Sequence, residues 1–234
     1  MKTFPQVLLC AAWILAVFYY MGRPPKTPEP FASADNMAPS REVYNPALGS
    51  ALDPKLRDYW QKPYQVLERL GDLTGLKVAD IGSGEGYFTL KLLDRVGPTG
   101  KVYANDIQKE MLDVLESRIP DAYRDRIALI LGSETETGIP EPVDLILLIQ
   151  VFGEVPNQKT FLRQLKRIMH ENSRLVIIDS KHITDPHNGF TRPLDLLRLT
   201  RELNGEGLVF PADFDPLDFD FLPKQFFFIL ELER

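Results

Sequence analysis

Three glycines stand at alternate positions in the run Val78-Ala79-Asp80-Ile81-Gly82-Ser83-Gly84-Glu85-Gly86-Tyr87-Phe88. Glycine removes the Cβ where a backbone must turn sharply or let a ligand approach. A strand-like apolar segment precedes the run and an amphipathic one follows, so unpaired N–H groups of a helix start stand at its end. Such a loop suits a nucleotide-like ligand. A dinucleotide fingerprint would carry its third glycine one position later, where Tyr87 stands, and would need a pyrophosphate at the helix start. Asp80, just before the loop, instead offers a carboxylate to a cationic or zwitterionic ligand. Twenty residues past Gly86, the segment Val102-Tyr103-Ala104-Asn105 ends at Asp106. A carboxylate at that strand tip can accept both hydroxyls of a ribose. Loop and acid together describe a nucleoside site.

Other residues have weaker claims. Glu154, in Gln150-Val151-Phe152-Gly153-Glu154, is a candidate general base, with a solvated turn residue as its bland alternative. His182, Asp185 and His187 fall in a loop on the ligand side of the expected sheet and are candidates for substrate contact. Their spacing matches no helical ligand pair, so no metal is expected. The single cysteine, Cys10, lies in an apolar run, which leaves no catalytic thiol and no multi-cysteine zinc site.

The elements that must position these groups alternate. Helices are expected at 54–60, 63–71, 86–95, 108–118, 157–169 and 193–203, and strands at 77–81, 101–105, 127–131, 144–149 and 174–179. Ile127–Leu131 and Asp144–Ile149 are nearly continuous aliphatic runs, as strands buried on both faces require. The pattern is that of an α/β protein with a doubly wound, mostly parallel sheet. A last pair of strands is expected near 207–210 and 224–231. Phe226, Phe227, Phe228, Ile229 and Leu230 suit an inserted antiparallel strand, and equally a buried edge strand.

Asp80-x-Gly82-x-Gly84-x-Gly86 with Asp106 resembles the first two motifs of class I S-adenosylmethionine (SAM)-dependent methyltransferases. The resemblance covers about residues 55–232. Trp60-Gln61-Lys62-Pro63, Gly100–Asp106 and Phe221-Leu222-Pro223-Lys224-Gln225-Phe226-Phe227 look like a bacterial group of largely unassigned substrate. It implies a seven-stranded Rossmann-like sheet with an antiparallel last strand and SAM as cofactor. Gly82, Ser83, Gly84 and Gly86 would lie along its methionine part, Asp80 would hold its amino group, and Asp106 its ribose. Ile107 and Gln150 complete the expected cofactor-contacting set.

Two departures stand out. Related enzymes carry Gly-Asp after the third strand, whose acid takes the adenine amino group; here the residues are Gly132-Ser133-Glu134. Either Ser133 bonds the base or Glu134 replaces the acid. After the fourth strand, relatives often carry an acid, an aromatic and histidines, for which Glu154 is the nearby replacement. Tyr44, Trp60, Gln61 and Lys62 precede the sheet, where relatives cover the cofactor; helix packing is their alternative role. The expected activity is methyl transfer to a small or lipid-like acceptor. A non-catalytic SAM-binding scaffold is the alternative.

Composition narrows the partners. The 234 residues are 44% hydrophobic and 26% charged, with a net charge of −6. No basic excess exists to neutralise a phosphate backbone, so nucleic acid is not an expected substrate. Thr3 to Gly22 carries no charge and, as a helix, is about 30 Å long, near the hydrocarbon thickness of a bilayer. Arg23 and Lys26 follow it, which favours a cytoplasmic enzyme domain. A signal peptide is the other reading, with Ala32-Ser33-Ala34 as cleavage site. The expected organisation is an anchor at 1–22, a Pro-rich tether at 23–51 and a catalytic domain at 52–234. The sequence assigns no oligomeric state.

Overall fold

A computed structural model describes residues 54–184, 191–215 and 221–234. Before the sheet come α1 (Pro54–Gln61) and α2 (Pro63–Arg69). Lys62 separates them in the left-handed region, at φ 44°. A residue before proline is driven out of the right-handed helical region, so the chain breaks there and restarts with Pro63 at the first helical position. Then follow β1 (Lys77–Ile81), α3 (Thr89–Val96), β2 (Lys101–Asp106), α4 (Lys109–Arg118), a 3-10 turn (Asp121–Arg126), β3 (Ile127–Leu131) and β4 (Val143–Ile149). A second 3-10 turn (Phe152–Glu154) leads to α5 (Gln158–Arg167) and β5 (Met169–Ser180). The chain continues through β6 (His182–Thr184), β7 (Thr191–Pro193), α6 (Leu196–Gly205), β8 (Leu208–Val209) and β9 (Gln225–Leu232).

Seven strands form one sheet in the order β3-β2-β1-β4-β5-β9-β8. The pairs β3–β2, β2–β1, β1–β4 and β4–β5 are parallel, whereas β9 runs antiparallel to both β5 and β8. The strand order reverses at β1, and ligands of open parallel sheets bind outside the carboxyl ends of the strands at such a point. The expected doubly wound, mostly parallel seven-stranded fold is therefore present. Its antiparallel strand is inserted between β5 and β8 rather than lying at the edge.

Side chains alternate between two buried layers, as the two-residue period of a strand demands. Val78, Leu145, Leu147, Val176, Phe227 and Ile229 pack on one face with Val66 and Leu67 of α2 and Leu92 and Leu93 of α3. Ala79, Ile146, Leu148, Ile177, Phe226 and Phe228 face the other way, onto Phe161 and Leu165 of α5 and Leu199 and Leu203 of α6.

Several boundaries differ from expectation: β5 starts at Met169 rather than 174, and α5 ends at Arg167 rather than 169. Helix α3 starts at Thr89 instead of 86, because Gly82, Gly84 and Gly86 take φ of 72°, 53° and 87° and keep the loop turning. Helix α6 starts at Leu196, after Asp195 caps it by accepting the Arg198 N–H at 2.9 Å, and Pro193 belongs to β7 instead. The loop after β5 holds the two-stranded ribbon β6–β7, with His182 opposite Pro193. Asn157 does cap α5, accepting the Thr160 N–H at 3.0 Å.

The anchor and tether expected over residues 1–51 lie outside the described residues, as do Tyr44, Asp185 and His187. Among the described residues no helix is long and apolar enough to cross a membrane.

Candidate functional site

The glycine loop runs directly off the end of β1. Gly82 and Ser83 both donate their N–H to the Asn105 carbonyl, at 2.8 and 2.9 Å, which ties the loop to the tip of β2. The three glycines differ in role. A Cβ on Gly82 would stand 2.2 Å from Val151 Cγ2, and one on Gly86 would stand 2.2 Å from Leu115 Cδ1. These two let neighbouring elements approach. A Cβ on Gly84 would meet nothing within 4 Å, so the middle of the loop opens on free space.

Asp106 binds that middle. Its Oδ2 accepts the Gly84 N–H at 2.8 Å and its Oδ1 accepts the Gln108 N–H at 2.9 Å. Each carboxylate oxygen has a second lone pair, so both retain capacity for a further donor such as a ribose hydroxyl. Ile107, next in the chain, is 47% exposed, and Leu131, paired with Asp106 across β2 and β3, is 57% exposed. Two exposed apolar side chains beside an acid provide a surface for a flat ring.

Asp80 is buried and accepts a hydrogen bond from the Thr89 hydroxyl at 2.5 Å, joining the end of β1 to the first residue of α3. Burial pushes its carboxyl up to about 6; the Thr89 bond opposes that rise, the charge of Asp106 adds to it, and the Arg57 guanidinium opposes it. A cation beside Asp80 would restore its charge.

Ser133 is exposed, and its Oγ accepts the Glu136 N–H at 3.0 Å and the Thr135 N–H at 3.3 Å. Its hydroxyl fastens its own turn, and Glu134 lies exposed beside it. Gly132 holds the turn to β2, donating its N–H to the Asp106 carbonyl at 2.9 Å.

On the other side of the loop, Gln150 sits at φ 60°, an unusual conformation for a residue other than glycine, and donates its N–H to Ile178. Val151, following it, fills the space left by Gly82. Glu154 is exposed on the 3-10 turn that comes next. Asp179, buried near the end of β5, accepts the Gly153 N–H at 2.8 Å and the Ser180 N–H at 2.7 Å. It fixes the Glu154 turn against β5. Gln225, the first residue of β9, is paired with Ser180, and both polar atoms of its buried amide have no partner among the described residues. His182 is exposed in the β6–β7 ribbon.

Asp80, Gly82, Ser83, Gly84, Gly86, Asp106 and Ile107 thus come together around one loop, with Gln150 bordering it. Thr89, Leu131, Asp179 and Gln225 were not singled out from sequence. A threonine in a first helical turn or an acid near a strand end has no diagnostic spacing, whereas Gln225 lies in a segment that carries the resemblance.

Residues 72–196 match a methyltransferase-domain family, which is more than half of the chain. The chain belongs to that family. Among curated relatives of this chain, the demethylmenaquinone methyltransferase of Lactococcus lactis is 28% identical over 140 residues, covering 59% of this chain and 55% of the relative. The ubiquinone/menaquinone biosynthesis C-methyltransferase of Hahella chejuensis is 28% identical over 123 residues, 52% of this chain and 49% of the relative. The chain spans about half the length of the curated relatives it matches. A solved SAM-dependent methyltransferase from Aquifex aeolicus is 25% identical, with a TM-score of 0.66 over 81% of this chain and all of the other.

The residues at the loop fit the cofactor of that family. SAM is a nucleoside with a sulfonium centre and an amino-acid tail. Asp106 suits its ribose, Ile107 and Leu131 its ring, and the Cβ-free surface of Gly84 a close approach of its chain.

Proposed function

We propose that this chain is a SAM-dependent methyltransferase acting on a small, ring-containing or lipid-like acceptor. The observation that carries the reading is the bond between Asp106 and the Gly84 N–H, which joins the strand-end acid to a loop opening on free space. Bound SAM supplies a methyl group already activated by its sulfonium leaving group. What remains for the protein is to hold the acceptor in line and exclude water, with a base needed only where the accepting atom loses a proton. Asp179 sets the position of the turn that carries Glu154, the candidate for that base. The quinone acceptors named for the relatives support a ring-containing substrate, and the net charge of −6 agrees with an acceptor other than nucleic acid.

The uncharged run Thr3–Gly22, followed by Arg23 and Lys26, supports a membrane anchor with the enzyme domain on the cytoplasmic side, where SAM is made. Membrane fractionation and a reporter fused after Arg234 test this: a washed membrane pellet and a reporter active in the cytosol are expected. A chain found wholly in the supernatant rules the anchor out.

Titration calorimetry with SAM and S-adenosylhomocysteine tests cofactor binding, and transfer of labelled methyl to a native lipid extract tests turnover. Heat with transfer is expected. Binding without transfer to any extract would instead favour a SAM-binding scaffold.

A further inference from the structure

Among the described residues two buried side-chain donors near the start of the fold have no acceptor. The first is the amide of Gln61, 1% exposed, whose Nε2 has no partner. Its orientation is fixed: Arg57 Nε donates to Gln61 Oε1, and a guanidinium has no lone pair to offer, so the oxygen must face it. Both amide N–H groups are therefore left to another acceptor. The second is the Ser83 hydroxyl, without a partner in a residue 8% exposed and held between Gly82 and Gly84.

Helix α1, which carries the first donor, packs on the residue that follows the loop. The Arg57 guanidinium stands 4.0 Å from the centre of the Tyr87 ring, and Tyr87 follows Gly86. The Tyr87 hydroxyl donates to Asp58 of the same helix. Arg57 also acts electrostatically on Asp80. Helix α1 thus meets Tyr87 with a positive charge and carries, one turn further on, an unused amide.

The acids of the site cannot serve an anion. Asp80 and Asp106 are acceptors, suited to an ammonium and to hydroxyls, and both would repel a carboxylate. A zwitterionic tail therefore needs donors from elsewhere. We infer that Gln61 Nε2 and Ser83 Oγ hold the carboxylate of the cofactor's amino-acid tail, Gln61 from the helix packed on the loop and Ser83 from within it. The inference rests on the methyltransferase reading. It makes α1 part of the binding site and gives the buried Nε2 an acceptor.

The test compares two nucleosides on the full chain by calorimetry: S-adenosylhomocysteine, and 5′-methylthioadenosine, which lacks the amino-acid tail. Gln61→Leu and Ser83→Ala are each expected to weaken S-adenosylhomocysteine by about tenfold and to leave methylthioadenosine within about twofold. Gln61→Glu, which keeps the shape and replaces donors with a like charge, should weaken S-adenosylhomocysteine further; with Ser83→Ala it decides the matter if the leucine variant does not fold. Equal losses for both nucleosides, or unchanged affinity for S-adenosylhomocysteine, overturn the assignment. A wild-type chain that binds neither overturns the methyltransferase reading as well, which separates the two failures.

Discussion

Asp106 Oδ2 accepts the Gly84 N–H at 2.8 Å, so the acid at the tip of β2 shapes the loop after β1. With Oδ1 on the Gln108 N–H, the carboxylate joins two turns through two oxygens. Asn at this position has one acceptor oxygen for both. Asp106→Asn is expected to weaken S-adenosylhomocysteine by about 10- to 100-fold, since charged hydrogen bonds contribute about 1.5–3 kcal/mol. Calorimetry measures it, and unchanged affinity would remove Asp106 from the site.

The glycines should separate by assay. In Gly86→Ala the new Cβ meets Leu115 Cδ1 at 2.2 Å, and a loss of about 3 kcal/mol or more is expected from the clash and the φ of 87° together. Gly84→Ala meets no neighbour, so only backbone strain of about 1 kcal/mol applies, while the added methyl projects into the space proposed for the cofactor. Thermal melts should rank Gly86→Ala far below Gly84→Ala, and titration should find both poor in cofactor binding. A Gly84→Ala variant with full affinity contradicts the placement.

Asp80 predicts a pH dependence. Burial raises its folded pKa from 3.8 to about 6, so the folded state favours the protonated acid. Stability from this group is complete below about pH 4 and is lost as pH rises through about 6. The shift of about 2 units corresponds to about 3 kcal/mol. A cofactor ammonium reverses the preference, so affinity for S-adenosylhomocysteine should rise from pH 5 to pH 7. In Asp80→Asn that rise should flatten, and titrations at several pH values check it. A parallel rise in both proteins would assign the effect elsewhere.

Gln225 has both amide atoms buried and unpartnered at the carboxyl end of the parallel strands. Gln225→Leu, of similar volume, is expected to stabilise the free protein by about 1 kcal/mol and to lower methyl transfer. A melt and the labelled-methyl assay measure the two effects. Lower stability with unchanged transfer would make Gln225 merely structural.

Much of this architecture was legible before any coordinates. The aliphatic runs 127–131 and 144–149 announced strands because burial on both faces leaves no room for polar alternation. Asp80, the glycines and Asp106 were legible because their chemistry requires fixed spacing along strand, turn and strand. The β6–β7 ribbon was not, since its strands of three residues each, rich in His, Thr and Pro, carry no periodic signal. The start of α3 was misplaced because an amphipathic pattern begins at Gly86 whereas its φ of 87° keeps that residue out of the helix. By its place in a motif, Ser133 shares the candidacy for the base contact with Glu134. Its bonds to the N–H groups of Thr135 and Glu136 depend on a local turn that position in a motif does not reveal.

Strand β9 lies between β5 and β8 yet follows both in the chain. As the polypeptide is made, the outer edge of β5 stays unpaired and β8 has no neighbour until Gln225–Leu232 emerges. Phe226, Phe227 and Phe228, which belong to the buried layers on both faces, arrive only with that strand. The nucleoside loop is spelled out well over a hundred residues earlier, but the sheet beneath it closes only with this strand. Nascent chains therefore carry an open, aggregation-prone edge until β9 is made, and substitutions in β9 should act first on yield and folding rate.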